Sequence, residues 1–395
     1  MVKQVLHSFF NSLEKGGLTV EYWDRDVRKY GEEEPEVKII FNESPPKSLD
    51  FSDPMIALGE AYMDDIIDFE GNFDEVMKIA KGNKKSFKGK KKELLKKTSK
   101  LLNKNHIKDE QKENIQQHYD LGNDFFSLWL DDTMSYSCGY FKSPEDTLYE
   151  AQMNKIDHVL KKLQLTPGEK LLDIGSGWGW LIIRAAEKYG VKATGVTISE
   201  EQYKETLDRI EKLGLTDRVE VKLQDYLDLD GAQLQFDKIV SVGMCEHVGK
   251  DNLGEYMKKV QELLVPGGIS VLHSIMGTRE ESVNSWITKY IFPGGYIPSL
   301  RETISLFPEH DFHLVHAESL RMHYAMTLDR WYENYMSHWD TVEAKYGRRF
   351  ARMWELYLKG CAANFRVTGL NIYQLLFTKG LNNELPLTLE HIYYN

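Results

Sequence analysis

The C-terminal two thirds of the chain alternate short apolar runs with longer segments in which apolar residues recur every three or four positions. The apolar runs resemble buried strands, and the spacing between them is typical of helices with one apolar face. The strand-like runs are 170–177, 192–199, 218–225, 236–243, 268–275 and 371–380. Strands that alternate with helices form a mostly parallel sheet with helices on both faces. We therefore predict an α/β fold for this region.

Residues 1–80 follow a different pattern. Strand-like runs at 20–24 and 36–41 precede a helical pattern at 54–69, which predicts a small α+β unit. The stretch 278–306 breaks the alternation of the larger region, and we interpret it as an insertion. Within it, 285–300 either lines a tunnel, forms a membrane-facing lid or packs as an ordinary element. Beyond it, 327–360 has the pattern of long, aromatic-rich helices.

Positive charge is concentrated in one segment of an otherwise acidic chain. The 395 residues carry 61 Asp and Glu against 50 Lys and Arg, a net charge of −11, which argues against a nucleic-acid partner. Yet 81–104 holds eleven lysines and one acid, Glu93. This composition predicts a linker at 81–109 between an N-terminal domain at 1–80 and a larger domain at 110–395. The same lysines suit an anionic membrane surface, and both interpretations stay open.

Other features limit the setting in which the chain works. The segment 6–13 is too short and too polar for a signal peptide, and no apolar run approaches the roughly 18 residues of a membrane-spanning helix. The three cysteines, Cys138, Cys245 and Cys361, lie far apart and show neither a disulfide framework nor the spacing of a metal site. We expect no metal, and a soluble cytoplasmic protein whose membrane contact is peripheral.

A glycine-rich turn follows the first strand of the larger region. In LLDIGSGWG (171–179), Gly175, Gly177 and Gly179 stand at alternate positions, and a helical segment comes next. Glycines at a strand end let the backbone approach a ligand, and the following helix directs its positive dipole end there. The GxGxG spacing, with Asp173 just before the turn, favours S-adenosylmethionine over a dinucleotide.

Polar residues also follow later strands. Thr197, Ser199 and Gln202 come after the second strand, where they suit hydrogen bonds to a ribose. Glu246 follows the fourth strand, and His273 lies at the end of the fifth. Because the carboxyl ends of parallel strands meet at one edge of a sheet, we expect Glu246 and His273 beside the glycine turn. A carboxyl and an imidazole in that place predict a functional site.

These motifs occur together, and in the same order, in a known enzyme family. The chain resembles the bacterial cyclopropane fatty acid synthases in HYDLGNDFFSLWLDDTMSYSCGYF (118–141), LLDIGSGWG, GVTISEEQ, GMCEHVG, VLHSI, MHYAMTLDRW (322–331) and GCAANFRVTGLNIYQLLF (360–377). It also resembles their N-terminal domain in GEAYMDDIIDFEGNFDEVM (59–77). The resemblance implies a Rossmann-like class I methyltransferase with a seven-stranded, mostly parallel sheet at 110–395. It further implies a small lipid-associated α+β domain at 1–80.

The resemblance implies a reaction on lipid. In this family S-adenosylmethionine gives its methyl group to the cis double bond of an acyl chain within a membrane phospholipid. The resulting carbocation loses a proton to a bound bicarbonate and closes to a cyclopropane ring, and S-adenosylhomocysteine leaves. Such an enzyme must align the two reactants and shield the cation from water. The family also suggests a homodimer.

The resemblance assigns roles to individual residues. Bicarbonate would be held by the side chains of Glu246, His273 and Tyr324 and by the backbone at Cys138 and Ile275. Cys361 falls on a position that is labelled catalytic in the family, although an alkene offers a thiolate no acyl-type electrophile. The cofactor would contact Tyr136, Ser137, Asp173, Gly175, Gly177, Gly179, Thr197, Ser199, Gln202, Gln224 and Asp225.

Several alternatives stay open at this point. Glu246 as the direct base competes with bicarbonate. Methylation of the double bond without ring closure would use the same site, and a non-catalytic lipid-binding protein would keep the fold without turnover. A methyltransferase acting on another small molecule is the remaining reading, because the net charge disfavours nucleic acid.

Overall fold

Two units, interleaved along the sequence, hold the strands and helices of the chain. The computed structural model describes residues 2–46, 53–83, 121–280 and 283–394. Within these ranges, the first unit takes its residues from 1–107, 284–293 and 328–369, and the second unit from 108–283, 294–327 and 370–395.

The described strands and helices alternate as the sequence pattern requires. The strands are β1 (Gly17–Glu21), β2 (Val27–Gly31), β3 (Val37–Phe41), β4 (Ile67–Gly71), β5 (Lys170–Ile174), β6 (Lys192–Thr197), β7 (Val219–Leu223), β8 (Phe236–Val242), β9 (Leu264–Met276), β10 (Phe312–Ser319) and β11 (Asn371–Lys379). The helices are α1 (Val2–Phe10), α2 (Pro54–Met63), α3 (Phe73–Gly82), α4 (Asn123–Phe126), α5 (Leu148–Leu163), α6 (Trp180–Tyr189), α7 (Glu200–Lys212), α8 (Leu253–Leu263), α9 (Ser285–Tyr290), α10 (Leu300–Ser305), α11 (Arg321–Ser337), α12 (Trp339–Tyr346), α13 (Arg348–Val367) and α14 (Glu390–Tyr393).

The second unit is built on a seven-stranded sheet in the order β10-β11-β9-β8-β5-β6-β7. Strands β5 to β9 run parallel to one another, whereas β11 runs antiparallel to both β9 and β10. The prediction of an α/β fold with a mostly parallel seven-stranded sheet is therefore confirmed. The parallel strands end on one edge, which is where ligands bind in open sheets of this kind.

Alternate residues of each strand enter two different hydrophobic cores. On β5, Leu171 packs with Ile156 of α5 and Ile182 of α6, while Leu172 packs with Met257 of α8. Successive strand residues point to opposite faces of a sheet, so a continuous apolar strand requires helices on both sides. The two cores hold the sheet rigid up to its carboxyl edge.

Two features of this sheet differ from the sequence pattern. Strand β9 begins at Leu264 and runs through Pro266-Gly267-Gly268, although the pattern started it only at Gly268. Strand β10 was not foreseen, because FHLVHAES reads as polar; it lies at the edge of the sheet and buries Phe312 alone of its residues. An edge strand with one exposed side has little apolar signal to detect.

The first unit contains a four-stranded sheet in the order β2-β1-β3-β4. A small α+β unit was expected here, but two of its elements were wrong in detail. The helix expected over 54–69 ends at Met63, Asp65 adopts a left-handed backbone with φ of 57°, and the rest of the segment begins β4. The long helical stretch 327–360 is likewise divided into α11, α12 and α13, with breaks at His338 and Gly347.

The two units are not continuous in sequence, and the domain bounds predicted at 1–80, 81–109 and 110–395 stay a prediction. Segments 284–293 and 328–369, which fall inside the predicted catalytic domain at 110–395, pack with the N-terminal elements. Most of the lysine-rich linker at 81–109 lies outside the described residues, as do 281 and 282 of the insertion at 278–306. In the described part of the chain, no helix combines the length and apolar character needed to cross a membrane.

One buried arginine ties α13 to the N-terminal sheet within the first unit. Arg352 is 6% exposed. Its Nε donates to the carbonyl of Tyr62 at 2.5 Å, and its Nη2 donates to the carbonyl of Ile67 at 2.9 Å and to Asp68 Oδ1 at 2.6 Å. The guanidinium also lies 3.9 Å from the centre of the Tyr62 ring. The turn between α2 and β4 thus depends on a residue that lies far away in sequence.

We predict that Arg352→Met lowers the free energy of unfolding of the first unit by about 2–4 kcal/mol, because it leaves two carbonyls and the carboxylates of Asp65 and Asp68 without this charged partner. Urea unfolding followed by circular dichroism measures the change. The matched control Arg330→Met removes a half-exposed ion pair with Glu333 and should cost less than about 1 kcal/mol. Equal losses in the two variants would contradict the assignment.

Candidate active site

The glycine turn after β5 has the geometry of a ligand cradle. Gly175, Gly177 and Gly179 all have positive φ, at 81°, 55° and 83°. A side chain on Gly175 would meet Met244 and one on Gly179 would meet Thr206, whereas Gly177 faces open space. Helix α6 begins directly after the turn, with Gly179 at its N-cap and no side chain capping it. The turn therefore leaves room for a ligand against the backbone.

The polar residues after β6 form hydrogen bonds with one another. Thr197 Oγ1 donates to Gln202 Oε1 at 2.7 Å, and Ser199 Oγ caps α7 by accepting from the Gln202 backbone at 3.4 Å. Thr197 and Gln202 are buried. These contacts position the first turn of α7 beside the glycine turn; ribose binding by the three residues stays a prediction.

Gln224 and Asp225 lie after β7, on the same edge of the sheet. The Gln224 backbone donates to the carbonyl of Thr197 at 3.0 Å, which joins the ends of β6 and β7. Asp225 Oδ1 caps the following turn by accepting from Leu227 N at 3.0 Å. Their predicted contact with the cofactor is thus compatible with their place on the sheet edge.

A buried lysine lies among the expected cofactor residues. Lys155 of α5 is 4% exposed, and its Nζ donates to Ser137 Oγ at 3.2 Å. Burial raises the pKa of the Asp173 carboxyl to about 7, and the nearby Lys155 opposes that rise. Burial also lowers the pKa of Lys155 to about 8, while Asp131 and Asp173 act in the opposite direction. Sequence analysis missed Lys155, because a lysine on a helix reads as a surface residue.

Glu246 binds the backbone of β9 from the end of β8. Its Oε1 accepts from Ile275 N at 2.6 Å. Its Oε2 is buried and has no hydrogen-bond partner among the described residues. Burial raises the pKa of Glu246 to about 7, against the hydrogen bond from Ile275. The structure thus places Glu246 and Ile275 in direct contact; their role in one ligand site stays a prediction.

His273 is fully buried two residues before Ile275 on the same strand. Its Nδ1 lies 3.0 Å from Gln374 Nε2 of β11, and its Nε2 has no partner within the part of the chain that the structure describes. Burial lowers the pKa of His273 well below its ordinary value, and the charge of Lys155 acts in the same direction. Both effects favour the neutral imidazole.

The segment that carries Tyr136, Ser137 and Cys138 is fastened to the start of α11. The Cys138 thiol is fully buried near the Leu320 carbonyl, at 3.9 Å, and Gly139 N donates to Thr327 Oγ1 at 3.0 Å. Leu320 N in turn donates to Ile372 O, and Ile372 pairs with Ile275. Tyr324, which is 9% exposed, lies on the first turn of this helix. One continuous set of contacts thus links Glu246 to the helix that carries Tyr324.

Cys361 belongs to the first unit, whereas the other predicted catalytic residues belong to the second. It lies on α13 and lines an apolar cavity of about 160 Å³ together with Phe9, Leu58, Phe73 and Trp286. Desolvation raises the pKa of its thiol to about 12. A thiol in this environment is a poor nucleophile, and its catalytic role stays a prediction.

Proteins of one enzyme family resemble this chain over most of its length. A sequence profile described as mycolic acid cyclopropane synthetase matches residues 106–375, and a domain of unknown function matches 5–92. A protein of Pseudomonas putida named a probable fatty acid methyltransferase is 36% identical over 95% of this chain and 96% of its own. The cyclopropane-fatty-acyl-phospholipid synthase of Escherichia coli is 44% identical over 68% of this chain and 69% of its own.

A solved structure extends the agreement to the fold. The mycolic acid cyclopropane synthase CmaA1, complexed with SAH and CTAB, superposes with a TM-score of 0.64 at 34% identity and covers 68% of this chain and 98% of its own. The matched profile spans the glycine turn, Glu246, His273 and Tyr324. The chain therefore belongs to the mycolic acid cyclopropane synthetase family and is an S-adenosylmethionine-dependent methyltransferase.

Proposed function

We propose that the protein is a cyclopropane fatty acid synthase, which transfers the methyl group of S-adenosylmethionine to the cis double bond of acyl chains in membrane phospholipids. One observation carries the proposal. Glu246 Oε2 and His273 Nε2 are buried at the ends of neighbouring strands, with no protein partner in the described residues. Buried polar atoms are normally hydrogen-bonded, so this pair favours a small polar ligand beside the cofactor turn.

Bicarbonate suits the donor and acceptor groups that Glu246, His273 and Tyr324 offer. A neutral imidazole N–H donates to a carboxylate-like oxygen, and Glu246 Oε2 accepts from a ligand O–H when the carboxyl is ionised. Held by Glu246, His273 and Tyr324, a bicarbonate would supply the base for the proton that ring closure releases. The buried charge of Lys155 reaches His273 and offsets the cost of an anion in this site.

The remaining residues of the site would align the two reactants and shield the carbocation from water. The glycine turn and the polar residues that follow β6 and β7 would bind S-adenosylmethionine. Tyr324 has an aromatic ring of the kind that stabilises a cation. The two hydrophobic cores cover the two faces of the sheet and exclude water from them. Because the double bond needs no activation by a nucleophile, alignment and exclusion of water are what the chain must provide.

The phospholipid substrate is supported by the first unit and by the charge pattern. The cavity of the first unit is lined almost wholly by apolar side chains, which suits part of an acyl chain and the predicted lipid-associated domain. The lysine-rich segment would draw the protein to an anionic surface at the inner face of the membrane. We also propose a homodimer, which the resemblance to the cyclopropane fatty acid synthases suggests.

A second function has its own support. The relative from Pseudomonas putida, which matches nearly the whole chain, is named a probable fatty acid methyltransferase. Methylation without ring closure would use the same cofactor turn and the same double bond, and would differ only in how the cation is quenched.

Mass spectrometry of lipid products tests the proposal. Purified protein is incubated with S-adenosylmethionine and anionic vesicles whose phospholipids carry cis-monounsaturated chains. Cyclopropanation adds the mass of one methylene group and removes the double bond. The same mass gain with an alkene retained would establish the second function instead. Tight cofactor binding without any change in the lipid would contradict both.

Glu246→Gln should lower kcat at least about 100-fold, since it keeps an acceptor for Ile275 N but cannot accept a ligand O–H as the carboxylate does. The affinity for S-adenosylmethionine, measured by calorimetry, should stay within about threefold, because the cofactor residues lie on other loops. Glu255→Gln, an exposed change on α8, is the matched control. Full activity in Glu246→Gln would remove Glu246 from the site.

Cys361→Ser should retain kcat within about threefold, because a thiol with a raised pKa contributes little thiolate at neutral pH. Initial rates of methyl transfer to vesicles measure this, with Cys361→Ala run in parallel to separate polarity from volume. A loss of more than about 100-fold in both variants, with the fold and cofactor affinity intact, would restore a covalent role for Cys361.

A further inference from the structure

A chain of buried polar side chains leads away from His273 on the side opposite its free nitrogen. Gln374 Nε2 lies 3.0 Å from His273 Nδ1, and Gln374 Oε1 accepts from Lys162 Nζ at 2.7 Å. Lys162 Nζ also donates to Glu318 Oε2 at 2.5 Å, and the same oxygen lies 2.7 Å from His158 Nε2. Lys162, His273 and Gln374 are each fully buried. All five side chains lie in the second unit, on α5, β9, β10 and β11.

Lys162 decides which way the Gln374 amide points. An ammonium group has donors only, so it must face the amide oxygen and not the amide nitrogen. Burial lowers the pKa of Lys162, and Glu318, which accepts from the same Nζ, acts against that lowering and favours the ammonium form. The pKa of Glu318 is itself held at about 2 with His158 and Lys162 beside it, although burial acts in the opposite direction. The amide nitrogen is therefore directed at His273.

The orientation of Gln374 decides where the proton of His273 resides. Gln374 Nε2 is a donor, so His273 Nδ1 must accept from it and carries no proton. A neutral imidazole with an unprotonated Nδ1 is protonated at Nε2. An imidazolium would place two N–H donors against each other, 3.0 Å apart. The arrangement excludes both the other tautomer and the charged ring.

We propose that Gln374, oriented by Lys162, is a positioning residue that keeps the proton of His273 on Nε2 and so makes His273 a hydrogen-bond donor to the anion of the active site. The second half of this statement rests on the proposed function. It follows that His273 is not the base of the reaction, because Nε2 already carries a proton and Nδ1 is committed to Gln374. The proton released on ring closure must leave through another group.

The tautomer is measured directly in the full-length protein. Histidine labelled with ¹⁵N in the ring gives distinct resonances for protonated and unprotonated nitrogens, and the His273→Gln variant assigns the signals of His273. We expect Nε2 protonated and Nδ1 unprotonated at neutral pH, in the absence of cofactor and lipid. An unprotonated Nε2, or a charged ring, in the wild-type protein would overturn the proposal.

Two variants of one residue separate positioning from packing. Gln374→Glu presents an oxygen acceptor both to Lys162 and to His273, so His273 should move its proton to Nδ1. We expect kcat to fall at least about tenfold while the KM for S-adenosylmethionine is unchanged. Gln374→Met keeps the volume without either hydrogen bond and should give mixed tautomers and a smaller loss. Equal losses in the two variants with the tautomer unchanged would indicate packing alone and would overturn the proposal.

Bicarbonate added to the labelled protein tests the donor role by itself. The Nε2 resonance of His273 should shift saturably in the wild-type protein and stay unshifted in Gln374→Glu. Absence of a shift in the wild-type protein, with the expected tautomer present, would contradict the anion of the proposed function and leave the positioning role standing. If Gln374→Glu does not fold, the wild-type spectrum and Gln374→Met still decide the tautomer.

Discussion

The burial of polar atoms at the carboxyl ends of β8 and β9 is the constraint on which the rest of the site depends. Glu246 and His273 each use one polar atom to bind the protein and leave the other without a partner among the residues described. An unsatisfied buried polar atom costs about 1–3 kcal/mol. The proposed ligand would satisfy both atoms.

The topology of the sheet explains how these atoms are held. Parallel strands β8 and β9 bring Glu246 to the backbone of Ile275, and the antiparallel strand β11 then places Gln374 opposite His273. Two lysines of one helix, Lys155 and Lys162, complete the surroundings from α5. The antiparallel strand β11 thus supplies the group that orients the imidazole, and α5 supplies Lys155, whose charge lowers the pKa of His273.

The sequence predicted the parts of this arrangement that depend on local pattern. Apolar runs located β5 to β8 and β11, and the glycine turn and Glu246 followed from where those runs ended. It could not predict Lys155, Lys162 or Gln374, since a lysine on a helix and a glutamine within a strand acquire their roles only when distant elements pack around them. The turn that ends α2 was missed for the same reason, because Arg352 binds it from a position remote in sequence. Strand β10 was missed because an edge strand carries little apolar signal.

The structure distinguishes the groups that could accept the proton released on ring closure. His273 presents a donor, Cys361 lies in the other unit with a raised pKa, and Glu246 has one oxygen engaged by Ile275. The rate of cyclopropane formation as a function of bicarbonate concentration, in buffer freed of carbon dioxide, tests the central claim most directly. The account predicts a rate that falls on depletion and returns saturably when bicarbonate is added. A rate that stays at its full value in depleted buffer would contradict it and assign the proton to Glu246.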